Sequence, residues 1–251
     1  MNASERIRAT SLNGATAPRI RSFTDQIPRN GLIVSCQATP GSPLRESMIM
    51  ALMAESAELG GAAGVRANGA ADVALISSRV ALPLIGINKL GDPDDVFITP
   101  TAEAALEVVE AGATIIALDG TERRRPDGTA LAEQIAQIRE RSEVPIMADV
   151  DTVDAGLAAR RAGADVVAST LSGYTDGSGP GGPGPDLELV SALAAALDCP
   201  IVAEGRIRDE SEALAALAAG AYAVVVGSAI TNPVLTTRRF VDRLDTFAKT
   251  T

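Results

Sequence analysis

Proton chemistry near neutral pH needs a side chain that can exist in both protonation states, and this sequence offers few of them. It contains no histidine, which excludes a histidine-based triad, a histidine-ligated zinc site and a histidine general base. Its 22 basic residues are all arginine except Lys89 and Lys249. Arginine keeps its proton at any physiological pH. Lysine releases it when burial or neighbouring positive charge lowers its pKa from about 10.4 toward 7–8; without such a shift only about 1 in 2,500 lysines is neutral at pH 7. Lys249 lies in the last residues of the chain, where a solvated tail accounts for it. Lys89 closes the apolar run Leu84-Ile-Gly-Ile-Asn-Lys89, and it is the position where arginine would not serve. Glu204 closes a similar run, Pro200-Ile-Val-Ala-Glu204, and is followed by Gly205 and Arg206. Arg206 is placed either to pair with the Glu204 carboxylate or to hold an anionic substrate. Gln37, Arg66, Asp119 and Asp149 stand at the ends of four further apolar runs. Gly227 and Ser228 precede a helical segment, where small residues leave backbone N–H groups open to a phosphate.

These residues need a frame that brings the ends of many strands together. Eight short runs rich in Val and Ile read as strands, at 32–37, 64–67, 84–89, 114–119, 144–149, 165–170, 200–204 and 223–228. They are apolar throughout, not alternating, as in a parallel sheet buried on both faces. Amphipathic segments at 103–110, 131–141, 153–161, 187–197 and 211–219 lie between them. Gly112, Gly163 and Gly220 follow three of these segments as helix-ending glycines do. Eight βα units in about 220 residues predict a (β/α)8 TIM barrel, with reactive groups at the C-terminal ends of the strands. An open doubly wound sheet is the alternative, and no GxGxxG follows the first strand to support it. The segment 175–185 is too rich in Gly and Pro for regular structure, so a long loop follows the sixth strand, either a surface insertion or a lid.

The chain has 251 residues and a formal net charge of -10, enough for one large barrel and marginal for two domains. The acidic balance argues against nucleic acid or an anionic membrane surface as partner. Cys36 and Cys199 are far apart and lie in or beside apolar runs, the setting of reduced, buried thiols. Residues 1–30 carry Arg6, Arg8, Arg19, Arg21 and Arg29 and lack the apolar core of a secretory signal. The expectation is a cytoplasmic protein with a polar N-terminal extension over 1–30 and a catalytic barrel over 31–251. The oligomeric state stays open, a homodimer included.

The motifs add a resemblance. Gly31-Leu-Ile-Val-Ser-Cys-Gln-Ala38, Gly60-Gly-Ala-Ala-Gly-Val-Arg-Ala-Asn-Gly69, Pro83-Leu-Ile-Gly-Ile-Asn-Lys89, Phe97-Ile-Thr-Pro-Thr101, Thr170-Leu-Ser-Gly-Tyr-Thr175, Ala203-Glu-Gly-Arg-Ile207 and Val225-Val-Gly-Ser-Ala-Ile-Thr231 occur in that order. From about Gly31 to Phe240 the chain resembles the N-acetylmannosamine-6-phosphate 2-epimerase family. The resemblance implies a cofactor-free, metal-free isomerase acting on a phosphorylated amino sugar in sialic acid breakdown. It places the family's catalytic lysine and glutamate on Lys89 and Glu204, and its substrate-binding glutamine, arginine and aspartate on Gln37, Arg66 and Asp149. Arg206, Gly205, Gly227 and Ser228 complete the expected substrate contacts. Three departures stand out: Asn232 where the family has arginine, Asp151 where it has serine, and Gly120 within Leu118-Asp-Gly-Thr121. The first two bear on the anionic substrate, since one cation is lost and one anion gained.

The expected reaction removes the C2 proton of the open-chain sugar next to the C1 aldehyde and returns it on the other face. The site must stabilise the oxyanion that develops as the proton leaves. Neutral Lys89 is the expected base, with Glu204 assisting ring opening or proton transfer at oxygen. Two alternatives remain at this stage: a Schiff-base aldolase using Lys89, and a sugar-phosphate-binding barrel with little or no turnover.

Overall fold

The structure is a computed structural model that describes residues 22–39, 41–92 and 94–250. Its eight strands are β1 (Gly31–Cys36), β2 (Gly64–Asn68), β3 (Leu84–Ile87), β4 (Ile115–Asp119), β5 (Ile146–Asp149), β6 (Val166–Ala168), β7 (Ile201–Glu204) and β8 (Ala223–Val226). All pair in parallel, in chain order, and β8 returns to β1 to close a barrel. The barrel expectation holds and the open sheet does not. Helices α1 (Ser47–Leu59), α2 (Ala70–Ser77), α3 (Ala102–Glu110), α4 (Leu131–Arg141), α5 (Val153–Ala162), α6 (Leu187–Ala196) and α7 (Glu210–Ala218) follow the first seven strands in turn. After β8 come the short α8 (Ser228–Thr231) and the long α9 (Pro233–Thr250).

Alternation along each strand divides the core in two. Ile33, Ile85, Ile115, Met147, Val166 and Val202 point into the barrel and fill it. Ile116, Leu118, Ile146 and Val167 point outward beneath the helices, against Ile135, Ile138 and Leu193. Both faces are dry, which is why the strands read as continuous apolar runs. Local chemistry starts the helices: Thr101, Thr152, Asp186 and Asp209 accept the backbone N–H three residues on, capping α3, α5, α6 and α7. Gly112, Gly163 and Gly220 follow α3, α5 and α7 with φ of 110, 108 and 110°, the left-handed geometry expected of them.

Residues 1–21 of the expected N-terminal extension lie outside the described residues. Residues 22–30 close the bottom of the barrel. Phe23 and Ile27 are fully buried, and the Tyr222 hydroxyl donates to the Ile27 carbonyl at 3.0 Å. Arg29 covers the other side of the Tyr222 ring, 4.8 Å from its centroid. At the opposite end of the chain, α9 packs chiefly on α8. Phe240, Leu244 and Phe247 recur at helical spacing along it and are all about two-thirds exposed. Among the described residues no helix is long and apolar enough to cross a membrane.

Candidate active site

The polar groups at the strand ends gather at the C-terminal mouth around one buried arginine. Arg66 on β2 is 1% exposed and points up the barrel axis between two carboxylates. It grips Asp149 on β5 with both terminal nitrogens, Nη1 to Oδ1 at 3.1 Å and Nη2 to Oδ2 at 2.5 Å. Nη1 also donates to Oε2 of Glu204 on β7. Burial opposes the charge on Arg66, but the two carboxylates outweigh it and hold the guanidinium protonated. Thr170, just beyond β6, completes the cluster. Its hydroxyl lies 2.6 Å from Asp149 Oδ1 and 3.3 Å from Glu204 Oε2.

Lys89 stands across the mouth on the loop leaving β3. That loop folds back on itself: Lys89 forms an antiparallel bridge with Ile98, and the Leu90 N–H donates to the Phe97 carbonyl at 3.0 Å. Asn68 Oδ1 accepts the Lys89 backbone N–H at 2.8 Å. Buried Thr99, just past this bridge on the returning arm, has a φ of 48°, in the left-handed region. Its hydroxyl donates to the Ala117 carbonyl at 2.7 Å and accepts the Asn88 N–H at 3.1 Å. The Lys89 ammonium lies 5.8 Å from the centroid of the Phe97 ring.

This setting pushes the two titratable groups toward each other. Burial, and then the charge of Arg66, lower the Lys89 pKa against the pull of Glu204 and Asp149. Burial raises the Glu204 pKa, and Asp149 adds to the rise; Arg66, Lys89 and the Thr170 hydroxyl oppose it. Lys89 is thus shifted toward losing its proton and Glu204 toward keeping one, the pattern of an acid–base pair.

A cavity of about 550 Å³ opens beside this cluster, with Lys89, Thr170 and Glu204 at its inner end. Gln37, Gly205, Arg206, Gly227 and Ser228 also line it, so the structure brings these expected residues to one space. Gln37 Nε2 donates to Ser35 Oγ at 2.7 Å, leaving its buried Oε1 without a partner among the described residues. Arg66 and Asp149 form the floor behind Glu204. Gly205 and Arg206 have φ of 115° and 55°, and this sharp turn carries the Arg206 side chain away from Glu204. Its Nε donates to the Gly184 carbonyl at 2.8 Å and its Nη1 to the Ser172 carbonyl, and its guanidinium lies over the Tyr174 ring. The sequence-based pairing of Arg206 with Glu204 is thus replaced by a clamp on the Gly/Pro-rich loop. Pro183 of that loop and Tyr174 just before it line the cavity wall.

Asp119, at the end of β4, is no part of this space. It is fully buried, accepts from Thr121 N and Oγ1, and pairs with Arg123 at 2.7 Å. Asp151 is likewise outside the cavity: it accepts the Thr175 hydroxyl at 2.6 Å and so anchors the start of the loop. Asn232 does line the cavity, but its Oδ1 accepts the Leu235 N–H at 3.1 Å and caps α9. The buried Cys36 thiol is pushed up to about 12 by desolvation, an unreactive setting. No group of three or more Cys, Asp or Glu side chains among the described residues is arranged to hold a metal ion.

A closed (β/α)8 barrel with an oppositely shifted lysine and glutamate at its mouth is a barrel enzyme equipped for proton exchange on a small polar substrate. Comparison with known proteins is more specific. Residues 50–246 match the family model described as "Putative N-acetylmannosamine-6-phosphate epimerase". A protein of Cutibacterium acnes named "Putative N-acetylmannosamine-6-phosphate 2-epimerase" is 49% identical over 88% of this chain and 98% of its own length. One of the same name from Caldanaerobacter subterraneus is 49% identical over 84% and 90%. The solved N-acetylmannosamine-6-phosphate 2-epimerase of Clostridium perfringens superposes with a TM-score of 0.83 at 40% identity, covering 88% of this chain and 95% of that one. The chain belongs to the N-acetylmannosamine-6-phosphate epimerase family.

Proposed function

We propose that this protein interconverts N-acetylmannosamine 6-phosphate and N-acetylglucosamine 6-phosphate by proton removal and return at C2, in the cytoplasmic catabolism of sialic acid and related amino sugars. The observation that carries the mechanism is the pair of Lys89 and Glu204 at the inner end of one cavity, their pKa values displaced in opposite directions. Neutral Lys89 takes the C2 proton of the open-chain sugar. The electron pair left behind moves into the C1–C2 bond, and negative charge collects on the C1 oxygen. Glu204, whose pKa burial raises, is the group suited to meet that oxygen, and it can equally assist ring opening by proton transfer at O5. A proton delivered to the opposite face of C2 restores the aldehyde as the epimer. Gln37 Oε1, a buried acceptor with no partner among the described residues, is suited to the acetamido N–H or a sugar hydroxyl. Arg66 and Asp149 hold Glu204 in place from below.

The same reading includes a homodimer. The exposed apolar stripe on α9, with Met48 and Leu52 exposed on α1, is the kind of surface a second copy covers. Light scattering of the purified chain checks this: a monomer at micromolar concentration would remove the dimer from the reading.

Solvent isotope labelling tests the chemistry. Turnover in D2O must place deuterium at C2 of the product, read by proton NMR. Product formed without label at C2 would exclude exchange at that carbon by a solvent-equilibrated base.

A further inference from the structure

A phosphorylated sugar brings a dianion into a protein of net charge -10, so the cavity needs positive charge at the end away from Lys89. The guanidiniums around the mouth can be taken in turn. Arg66 is held by Asp149 and Glu204. Arg123 is paired with Asp119. Arg206 is bound to the carbonyls of Gly184 and Ser172. Arg208 is neutralised by Glu212, which its Nε reaches at 3.1 Å. Two more line the cavity, Arg238 and Arg239 on α9. Neither pairs with a carboxylate among the described residues, and the one hydrogen bond between them is Arg239 Nη1 to the Arg208 carbonyl at 3.4 Å. Asp242, one turn further on, also lines this end but forms no ion pair with either. Two uncommitted cations against one carboxylate leave this end of the cavity positive.

We infer that Arg238 and Arg239 form the anion-binding end of the site, gripping the phosphate of a phosphorylated sugar whose C2 lies near Lys89. This rests on the epimerase reading for the identity of the substrate. Asn232 gives the arrangement a local cause. By capping α9 with its side chain, it fixes where the helix begins and hence which residues nearly two turns further along are presented to the cavity.

The test compares phosphorylated with unphosphorylated sugar in the full-length protein. Arg238→Gln/Arg239→Gln should raise KM for N-acetylmannosamine 6-phosphate by about 30-fold or more while kcat changes little, since two charge-assisted contacts are lost from binding and none from the reacting atoms. Turnover of unphosphorylated N-acetylmannosamine should be unchanged, and Arg238→Lys/Arg239→Lys should recover most of the affinity. Titration calorimetry with inorganic phosphate should show the same loss in the Gln variant. A KM for the phosphorylated sugar within about twofold of wild type, or an equal loss on both sugars, would overturn the assignment. Wild-type protein that binds phosphate through these arginines yet leaves the sugar unepimerised would keep the anion site and remove the epimerase reading.

Discussion

Arg66→Met separates what the buried ion pair does for the fold from what it does for the reaction. Arg66 is 1% exposed, Asp149 fully buried, and the Glu204 side chain 14% exposed. Methionine fills much of the volume of the arginine stem but leaves two carboxylates facing each other with the Thr170 hydroxyl as their shared donor. Removing one partner of a buried pair costs about 3–5 kcal/mol, a large part of the roughly 5–15 kcal/mol that holds a domain folded. The loss should depend on pH in a defined direction. Without Arg66, burial and Asp149 act against Lys89 and the Thr170 hydroxyl only, and the largest opposition to the rise in the Glu204 pKa is gone. Its folded pKa then lies further above its unfolded value near 4.3, so the folded protein binds a proton that the unfolded chain releases. Stability of the variant is therefore regained as pH falls through the folded pKa. One such proton is worth about 1.4 kcal/mol per pH unit, so the deficit should shrink by up to about 2.7 kcal/mol between pH 7.5 and 5.5. Urea unfolding at the two pH values measures this directly. Adding Asp149→Leu removes one stranded charge and should return most of the stability without restoring activity. A loss below about 1 kcal/mol, or a deficit that does not change with pH, would refute the account of Arg66 as a desolvated charge held by its two partners.

Lys89→Arg keeps the positive charge but not the exchangeable proton, and steady-state assays should show kcat reduced by about 10²–10⁴-fold, the usual worth of a general base. Thr170→Val removes a hydroxyl that opposes the rise in the Glu204 pKa. The limb of the kcat/KM–pH profile that belongs to Glu204 should move to higher pH, while Thr170→Ser leaves it in place. Asn232→Ala deletes the cap of α9 and should destabilise the first turn of that helix by about 1 kcal/mol, read as faster amide exchange at Leu235 and Thr236.

The barrel was legible because its strands are dry on both faces, so that runs such as Ile115–Asp119 and Ala223–Val226 carry no alternation to confuse them. Most of the candidate site followed from the same fact, since Asp149 and Glu204 end buried strands, Arg66 interrupts another, and Lys89 follows Asn88 at the end of a fourth. Helices α1 and α2 went unassigned for the opposite reason: they are apolar around much of their circumference and show little contrast between faces. Thr170 left no periodic signal, because a hydroxyl at a strand end reads as ordinary punctuation. Arg206 misled through adjacency, as nothing in Glu-Gly-Arg announces that two successive residues adopt positive φ and turn the side chain to the loop. Asp119 shared the position of the site residues but not their surroundings. Its neighbour Arg123 and its own Thr121 claim it locally, a tertiary detail that spacing does not encode. Arg238 and Arg239 fall within an amphipathic helix, where a pair of arginines reads as a solvated face until a cavity is seen to reach them.

The scarcity of lysine has a practical side. Lys89 opens onto the cavity with a lowered pKa, and Lys249 is its single side-chain competitor in the whole sequence. An amine-selective reagent used near neutral pH acts on the unprotonated fraction, which burial and Arg66 enlarge at Lys89 and not at an ordinary solvated lysine. Of the two side-chain amines, Lys89 is thereby the one favoured for acylation in the unaltered polypeptide, and occupancy of the cavity can be followed as its protection.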